Sequence, residues 1–259
     1  QMFADNIFRQ TINMSGVNSI NWARIIFQIV YYFYSFLKLN NKKINYAVPT
    51  GNFGDIYAGY MAKKMGLPID RLIVATNEND ILQRVINRGI YKPTKVKASL
   101  SPSMDIQVSS NFERLLFNVL DSKHLEVKKL MNNLEQKGYF KLTSKQIKII
   151  QKDFSAFKVT NKEIKKIIKK IYLEHKFFVD PHTATGFYAS QKVKSNYPCV
   201  VLGTAHPYKF LETMKSVTGK QIKKPSQVSN LMDGKEKYDI LSNKINIIKK
   251  YILEKQYEN

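Results

Sequence analysis

Residues 44–65 read Ile44-Asn45-Tyr46-Ala47-Val48-Pro49-Thr50-Gly51-Asn52-Phe53-Gly54-Asp55-Ile56-Tyr57-Ala58-Gly59-Tyr60-Met61-Ala62-Lys63-Lys64-Met65. A strand-like run, Ile44 to Val48, passes through two glycines into a helix-like run that ends near Met65. That order puts Gly51 and Gly54 where a chain leaves a sheet and opens a helix, so backbone N–H groups converge without side chains in the way. The first turn of a helix has N–H groups with no internal partner and carries the positive end of the macrodipole, which suits a phosphate dianion. A short turn that merely redirects the chain fits the spacing equally well. The segment has neither the Lys-Ser/Thr of a P-loop nor a G-x-G-x-x-G fingerprint, which disfavours an ATPase or a Rossmann-type dinucleotide enzyme.

Outward from this stretch, the first hundred residues alternate between helix and strand. The pattern predicts a helix from about Asn18 to Leu39, a strand from Ile44 to Val48, a helix from about Asp55 to Met65, a strand from Arg71 to Ala75 and a helix from about Asp80 to Asn87. Such alternation implies a parallel sheet covered on both faces, with ligands at the carboxyl ends of its strands. Residues 97–107 show no clear period. Helices then follow at Ser110–Val119, Glu126–Glu135, Thr143–Phe154 and Thr160–Leu173, three of them opened by the capping-box patterns Ser110-Asn111-Phe112-Glu113, Thr143-Ser144-Lys145-Gln146 and Thr160-Asn161-Lys162-Glu163. Alternation resumes with a strand from Cys199 to Leu202 and a helix from about Lys209 to Val217. Residues 223–237 read as a loop before a terminal amphipathic helix from Ile240 to Ile252. The expected organisation is α/β: residues 1–100 form part of a cofactor domain, 101–178 a mainly helical insertion, and 179–259 the return to the α/β domain plus a C-terminal helix.

At 259 residues and 44% hydrophobic, the chain is large enough for a sizeable core. Its 42 Lys+Arg against 20 Asp+Glu leave a formal charge of +22, which raises nucleic acid as a partner. The lysines argue otherwise: Lys165, Lys166, Lys169 and Lys170 lie opposite the stripe Ile164, Ile167, Ile168, Ile171, as on a solvated helix face, and lysines recur along the chain rather than in one patch. Nucleic acid is therefore disfavoured as a partner. The single cysteine, Cys199, excludes an internal disulfide and points to a reducing, cytoplasmic home; its apolar setting predicts a buried strand. Ile25 to Leu37 is the most apolar run, short of the ~20 residues of a membrane span, and reads as a buried helix. The start, Gln1-Met2-Phe3-Ala4-Asp5-Asn6, has no signal-peptide pattern and reads as internal.

Polar strings lie at the ends of predicted strands: Thr76-Asn77-Glu78-Asn79-Asp80, Asp180-Pro181-His182-Thr183-Ala184 and Gly203-Thr204-Ala205-His206-Pro207. Each has a plainer reading. Asn77 or Asn79 could cap the next helix, and Asp180-Pro181 is an ordinary helix start. His182, His206 and Asp180 lack H-x-x-x-H or H-E-x-x-H spacing, so no metal is expected. No serine sits in a G-x-S-x-G elbow, so an α/β-hydrolase is unsupported. Asn21 and Arg24 lie three apart at a helix start, where an arginine suits a phosphate or carboxylate; a capped helix with a surface arginine fits as well.

Taken together, seven strings occur in the same order in the threonine synthases: Val17-Asn18-Ser19-Ile20-Asn21-Trp22-Ala23-Arg24-Ile25, Val48 to Asp55, Ala75 to Leu82, Leu100 to Ile106, Ser109 to Leu115, Asp180 to Ala184 and Thr204 to Pro207. From about Phe3 to Gly219 the chain resembles the later, larger part of the long enzymes of fungi and many bacteria. The resemblance implies a tryptophan-synthase-β-like pyridoxal-phosphate fold (fold type II), here partial, and conversion of O-phospho-L-homoserine and water to L-threonine and phosphate. It implies that Gly51, Asn52, Phe53, Gly54 and Asp55 cradle the phosphate of pyridoxal 5'-phosphate, and that the Thr204 hydroxyl faces the pyridine nitrogen. A second dianion site, for the substrate phosphate, is expected at Ser19, Asn21 and Arg24. The family's Schiff-base lysine lies upstream of the first string, and no lysine here stands in its context. No catalytic residue is therefore assigned, and the chain is expected to be a piece of a longer protein, inactive alone. A phospho-lyase taking the same substrate to a keto acid, or a basic nucleic-acid-binding protein on an inactive scaffold, remain the alternatives. No membrane contact is expected, and oligomeric state is open.

Overall fold

The computed structural model describes residue 2 and residues 5–16, 18–40, 42–226 and 234–257. The chain forms two compact units, one of Ser19–Lys223 and one combining Gln1–Asn18 with Lys224–Asn259. In chain order the elements are α1 (Asn6–Thr11), α2 (Trp22–Leu39), β1 (Ile44–Pro49), α3 (Gly54–Lys64), β2 (Ile69–Thr76), α4 (Ile81–Arg88), β3 (Ile90–Tyr91), α5 (Phe112–Val119), α6 (His124–Lys137), β4 (Phe140–Lys141), α7 (Ser144–Asp153), β5 (Phe154–Lys158), α8 (Asn161–His175), α9 (Pro181–Ser190), β6 (Cys199–Val201), α10 (Leu211–Thr218) and α11 (Ile245–Tyr257). The first and last belong to the unit that joins the two ends; in it the Lys249 ammonium pairs with Asp5 and lies over the Phe8 ring.

The remaining elements build the Ser19–Lys223 unit around a parallel sheet in the order β5-β2-β1-β6. Tyr46 of β1 stands between Leu72 and Val200, which fixes the register on both sides. The period-2 alternation of strands sorts the side chains. Ile44, Tyr46, Val48, Leu72 and Val74 pack in one buried cluster with Ile25 and Tyr32 of α2 and Ile56 and Tyr60 of α3. Ala47, Ile73 and Ala75 face the other way, onto Ala189 of α9. Small residues on that face let α9 approach closely: a Cβ on Gly186 would lie 2.7 Å from Val201 and 3.4 Å from the Ala47 carbonyl. The chain leaves β1 for β2 on one side and returns to β6 on the other, so the carboxyl ends of β1 and β6 flank a switch point, the usual mouth of an open α/β sheet.

The two capping boxes at Thr143/Gln146 and Thr160/Glu163 form as expected, each with both reciprocal bonds. On α8 the stripe Ile164, Ile167, Ile168 and Ile171 is buried while Lys165, Lys166, Lys169 and Lys170 are exposed. The third pattern does not become a box. Helix α5 starts at Phe112 with no side-chain cap, and Ser110 and Asn111 turn to the Gly51–Gly54 loop instead.

Several expectations are corrected. Helix α2 is not buried all round: Ile25 and Tyr32 are, but Phe27 is 71% and Leu37 72% exposed, because only one stripe meets the sheet and α3. Cys199 is exposed rather than core, since β6 is an edge strand. Phe154 begins β5 rather than ending a helix; α7 stops at Asp153 and Phe154 pairs directly with Leu72. Ile90–Tyr91 and Phe140–Lys141 form a small antiparallel sheet that no local period announced. The terminal helix starts at Ile245 rather than Ile240. Residues 227–233 of the expected 223–237 loop, and Val17 of the first motif, lie outside the described residues.

The α2–α3 contact depends on Gly59. A Cβ there would stand 2.5 Å from the Tyr32 ring and 2.9 Å from Leu72, both in the packed core. Gly59→Ala should therefore destabilise the chain by about 1–3 kcal/mol despite the better helix propensity of alanine, read as a lower urea midpoint with unchanged slope.

Candidate functional site

Strand β1 ends at Pro49, and the next five residues carry the chain into α3. Phe53 is the N-cap of that helix and lies in the left-handed region, φ 63° and ψ 8°. For a non-glycine residue this costs roughly 1–2 kcal/mol. The buried ring offsets it: Phe53 is 1% exposed, edge-on to Phe112 at 5.4 Å and 5.6 Å from Phe154. Among the described residues no acceptor is present for the backbone N–H of Gly51, Asn52, Phe53 or Gly54. Backbone donors left without partners at a helix start are the feature a phosphate satisfies. The segment Ser101–Gln107 closes over them. A Cβ on Gly51 would come within 3.1 Å of the Ser103 carbonyl and 3.2 Å of the Met104 Cα, so only glycine fits that close approach.

Two polar clusters hold this lid of backbone in place. The Asp105 carboxylate accepts from Asn77 Nδ2 (2.7 Å), Asn79 Nδ2 (3.0 Å), Ser99 Oγ (2.6 Å) and the Ser99 N–H (3.0 Å). Asn77 and Asn79 are buried within it rather than capping α4. On the other side, Asp180 caps α9 by accepting from the N–H of His182 and Thr183. The Ser103 N–H donates to His182 Nε2 at 3.2 Å, which puts the ring proton on Nδ1, 3.2 Å from Asp180 Oδ1. Thr183 donates its hydroxyl to Asp180 and accepts from the Thr204 N–H at 3.2 Å, so the same cluster places Thr204. His206 is exposed and accepts from the Tyr208 N–H.

Gly51 to Asp55 and Thr204 open onto one cavity of about 640 Å³, and Ser19 and Arg24 line it as well. The start of α3 opens there, and α2 lines the cavity along one face from Arg24 to Ser35. Asn21 is not among the lining residues: its side chain accepts from the Ala23 N–H and caps α2, the plainer of its two readings. Arg24 is exposed and makes no ion pair among the described residues. Among the described residues it is the one basic residue lining the cavity and Asp55 the one acidic residue, and no lysine lines it. Burial pushes the Asp55 carboxyl up to about 6, against the opposing hydrogen bond from the Tyr32 hydroxyl. Gln28, Tyr31 and Tyr34 of α2 and Ser103 also line the cavity. The helical spacing of Gln28, Tyr31 and Ser35, which also lines the cavity, from Arg24 was the available signal for the α2 residues. Ser103 stood in a quoted motif without a role.

The C-terminal family model of threonine synthase matches residues 183–252. The chain is 44% identical over 238 residues to threonine synthase of Saccharomyces cerevisiae, covering 83% of this chain and 46% of that protein, and 40% identical over 255 residues to that of Pseudomonas aeruginosa, covering 96% and 54%. The crystal structure of pyridoxal-phosphate-bound threonine synthase from Brucella melitensis superposes with a TM-score of 0.93 at 44% identity, covering 97% of this chain and 55% of that one. The chain thus spans about half the length of the curated relatives it matches. The α/β fold with a parallel sheet is that of the fold type II pyridoxal-phosphate enzymes, as the motifs implied.

Asp55 gives a prediction with a definite sign. A carboxyl raised from 3.8 to about 6 on folding binds its proton more tightly in the folded chain, so its contribution to stability is present at low pH and is lost as pH rises from about 4 to about 6. Asp55→Asn keeps an acceptor for Tyr32 and removes the buried charge. It should raise the Tm of the ligand-free chain at pH 7.5 by a few degrees and leave it unchanged near pH 4, in thermal melts across that range.

Proposed function

We propose, because this chain is a homologue of the threonine synthases over about half their length, that it forms the C-terminal part of a pyridoxal-phosphate-dependent threonine synthase. The reaction would take O-phospho-L-homoserine and water to L-threonine and phosphate. One observation carries the reading: the Gly51–Asp55 turn, Thr204 and Arg24 line a single cavity into which α3 opens by its N-terminal end.

The residues fit the cofactor. The unpartnered amides of Gly51 to Gly54 suit its phosphate, and the absence of a Cβ at Gly51 leaves room for the close backbone approach beneath Ser103. Thr204 would offer a neutral hydroxyl to the pyridine nitrogen. When bound, the cofactor supplies an electron sink that lets protons leave and return at the substrate's carbons. A hydroxyl moderates that sink, because unlike a carboxylate it does not hold the ring nitrogen protonated. Ser19 and Arg24, at the start of α2, would hold the substrate phosphate. The Arg24 guanidinium can donate two parallel hydrogen bonds to a leaving dianion. Asn21 would act one step back, as the cap that keeps the first turn of α2 intact. Asp55 would lose its charge readily beside an incoming anion, since burial already raises its carboxyl to about 6. The lysine that would move protons is not among the cavity's lining residues, so this reading has it supplied by polypeptide outside this chain. No helix of the described residues is long and apolar enough to cross a membrane, and the lone Cys199 suits a reducing cytoplasm.

In the complete enzyme, Arg24→Ala removes a charge-assisted pair worth roughly 1.5–3 kcal/mol. KM for O-phospho-L-homoserine should rise about 10- to 100-fold, with the cofactor's absorbance spectrum unchanged. An unaltered KM would take Arg24 out of the substrate site. A complete enzyme that binds no pyridoxal phosphate would reject the function itself.

A further inference from the structure

We propose that Asn111 is a positioning residue that couples the two anion-binding segments, so that occupancy of one strengthens the other. The inference rests on the reading of those segments as cofactor and substrate phosphate sites. Asn111 is fully buried and is not among the residues lining the cavity. Its Nδ2 group donates to two carbonyls from segments more than thirty residues apart in sequence: Ser19 O at 2.9 Å and Asn52 O at 3.1 Å. Its own backbone N–H donates to Asn52 O as well, at 3.0 Å. One side chain therefore joins the segment that starts α2 to the turn that starts α3.

The geometry explains why this matters for anions. In a trans peptide the C=O and the following N–H point in opposite directions. Holding the Asn52 carbonyl toward Asn111 with two donors directs the Phe53 N–H the other way, and a turn free to rotate would not keep its amides aligned. The acceptor side of Asn111 is held too. Arg114 Nε donates to Asn111 Oδ1 at 3.0 Å, Arg114 Nη2 donates to Ile20 O at 2.8 Å, and the guanidinium lies 5.2 Å from the centre of the Trp22 ring. Asn111 and Arg114 together fix the carbonyls of Ser19, Ile20 and Asn52. A movement of either segment must break a hydrogen bond to the buried Asn111 side chain or carry the other segment along. Such a shared constraint appears as reciprocal coupling between two binding events.

The test uses the 259-residue chain, isotopically labelled, with pyridoxal phosphate titrated first and inorganic phosphate second. Backbone amide shifts of residues 51–54 and 19–24 report each segment separately. In the natural chain, saturation with pyridoxal phosphate at residues 51–54 should tighten phosphate binding at residues 19–24 about threefold or more. Asn111→Ala should weaken both sites at least fivefold and abolish the tightening. Asn118→Ala, on the same helix but bonded to Tyr57, should leave both affinities within twofold and the tightening intact. Should Asn111→Ala fail to fold, Arg114→Lys serves: it keeps Asn111 but releases Oδ1, and it should weaken phosphate at residues 19–24 and reduce the coupling. Unchanged coupling in whichever of these variants folds, or loss at one segment alone in Asn111→Ala, overturns the proposal. Absence of saturable pyridoxal phosphate shifts in the natural chain would overturn the cofactor reading together with it. That result is distinct from a natural chain that binds normally and a variant that matches it.

Discussion

The site depends on a backbone conformation that the side chain attached to it makes affordable. Phe53 sits in left-handed space, and the chain needs it there to turn from β1 into α3 with its amides unspent. Burying a phenylalanine ring stabilises by about 1.5–3 kcal/mol, and its contacts with Phe112 and Phe154 add to that, so the strain is outweighed. The two partners come from α5 and β5, elements about 60 and 100 residues further on. The conformation of this turn is therefore a property of the whole unit.

Around that turn the fold works by close approach. Glycine at 51 lets the Ser103–Met104 backbone descend on the turn; glycine at 186 lets α9 press on β1 and β6; glycine at 59 lets α2 lie against α3. The contacts at Gly51 and Gly59 bring Ser103 and α2, two walls of the cavity, to their places. Asp105 and Asp180 then spend their oxygens on fixing neighbouring loops, with Asn77, Asn79, His182 and Thr183 as partners. Asp180 and His182, singled out in the sequence among polar residues at a strand end, serve here as supports of Ser103 and Thr204, which line the cavity.

The electrostatics of the cavity are weighted toward anions without much net charge. The N-terminus of α3 and Arg24 face one carboxyl, Asp55, whose ionisation burial already opposes. The formal +22 of the chain contributes little of this directly, since the lysines of α8 project into solvent on the side opposite its packed stripe.

Local information in the sequence determined the β1–turn–α3 unit, the parallel α/β class, the capping boxes at Thr143 and Thr160, and the motif set whose kinship the comparisons bear out. These are legible because period, cap chemistry and glycine placement act within a few residues. Its motifs also nominated Ser19, Asn21 and Arg24, and set Gly51 to Asp55 and Thr204 about one cofactor, but did not show that Ser19 and Arg24 line the same cavity and Asn21 does not. Tertiary structure alone decided that, together with the strand at Phe154, the exposed side of α2, the edge position of Cys199, and the diversion of Ser110 and Asn111 from helix capping to the turn. Each of these rests on hydrogen bonds or packing between residues tens of positions apart, such as Asn111 with Ser19 or His182 with Ser103. A pattern read along the chain registers what neighbours in sequence prefer, whereas such pairs exist only once the sheet has brought their segments together.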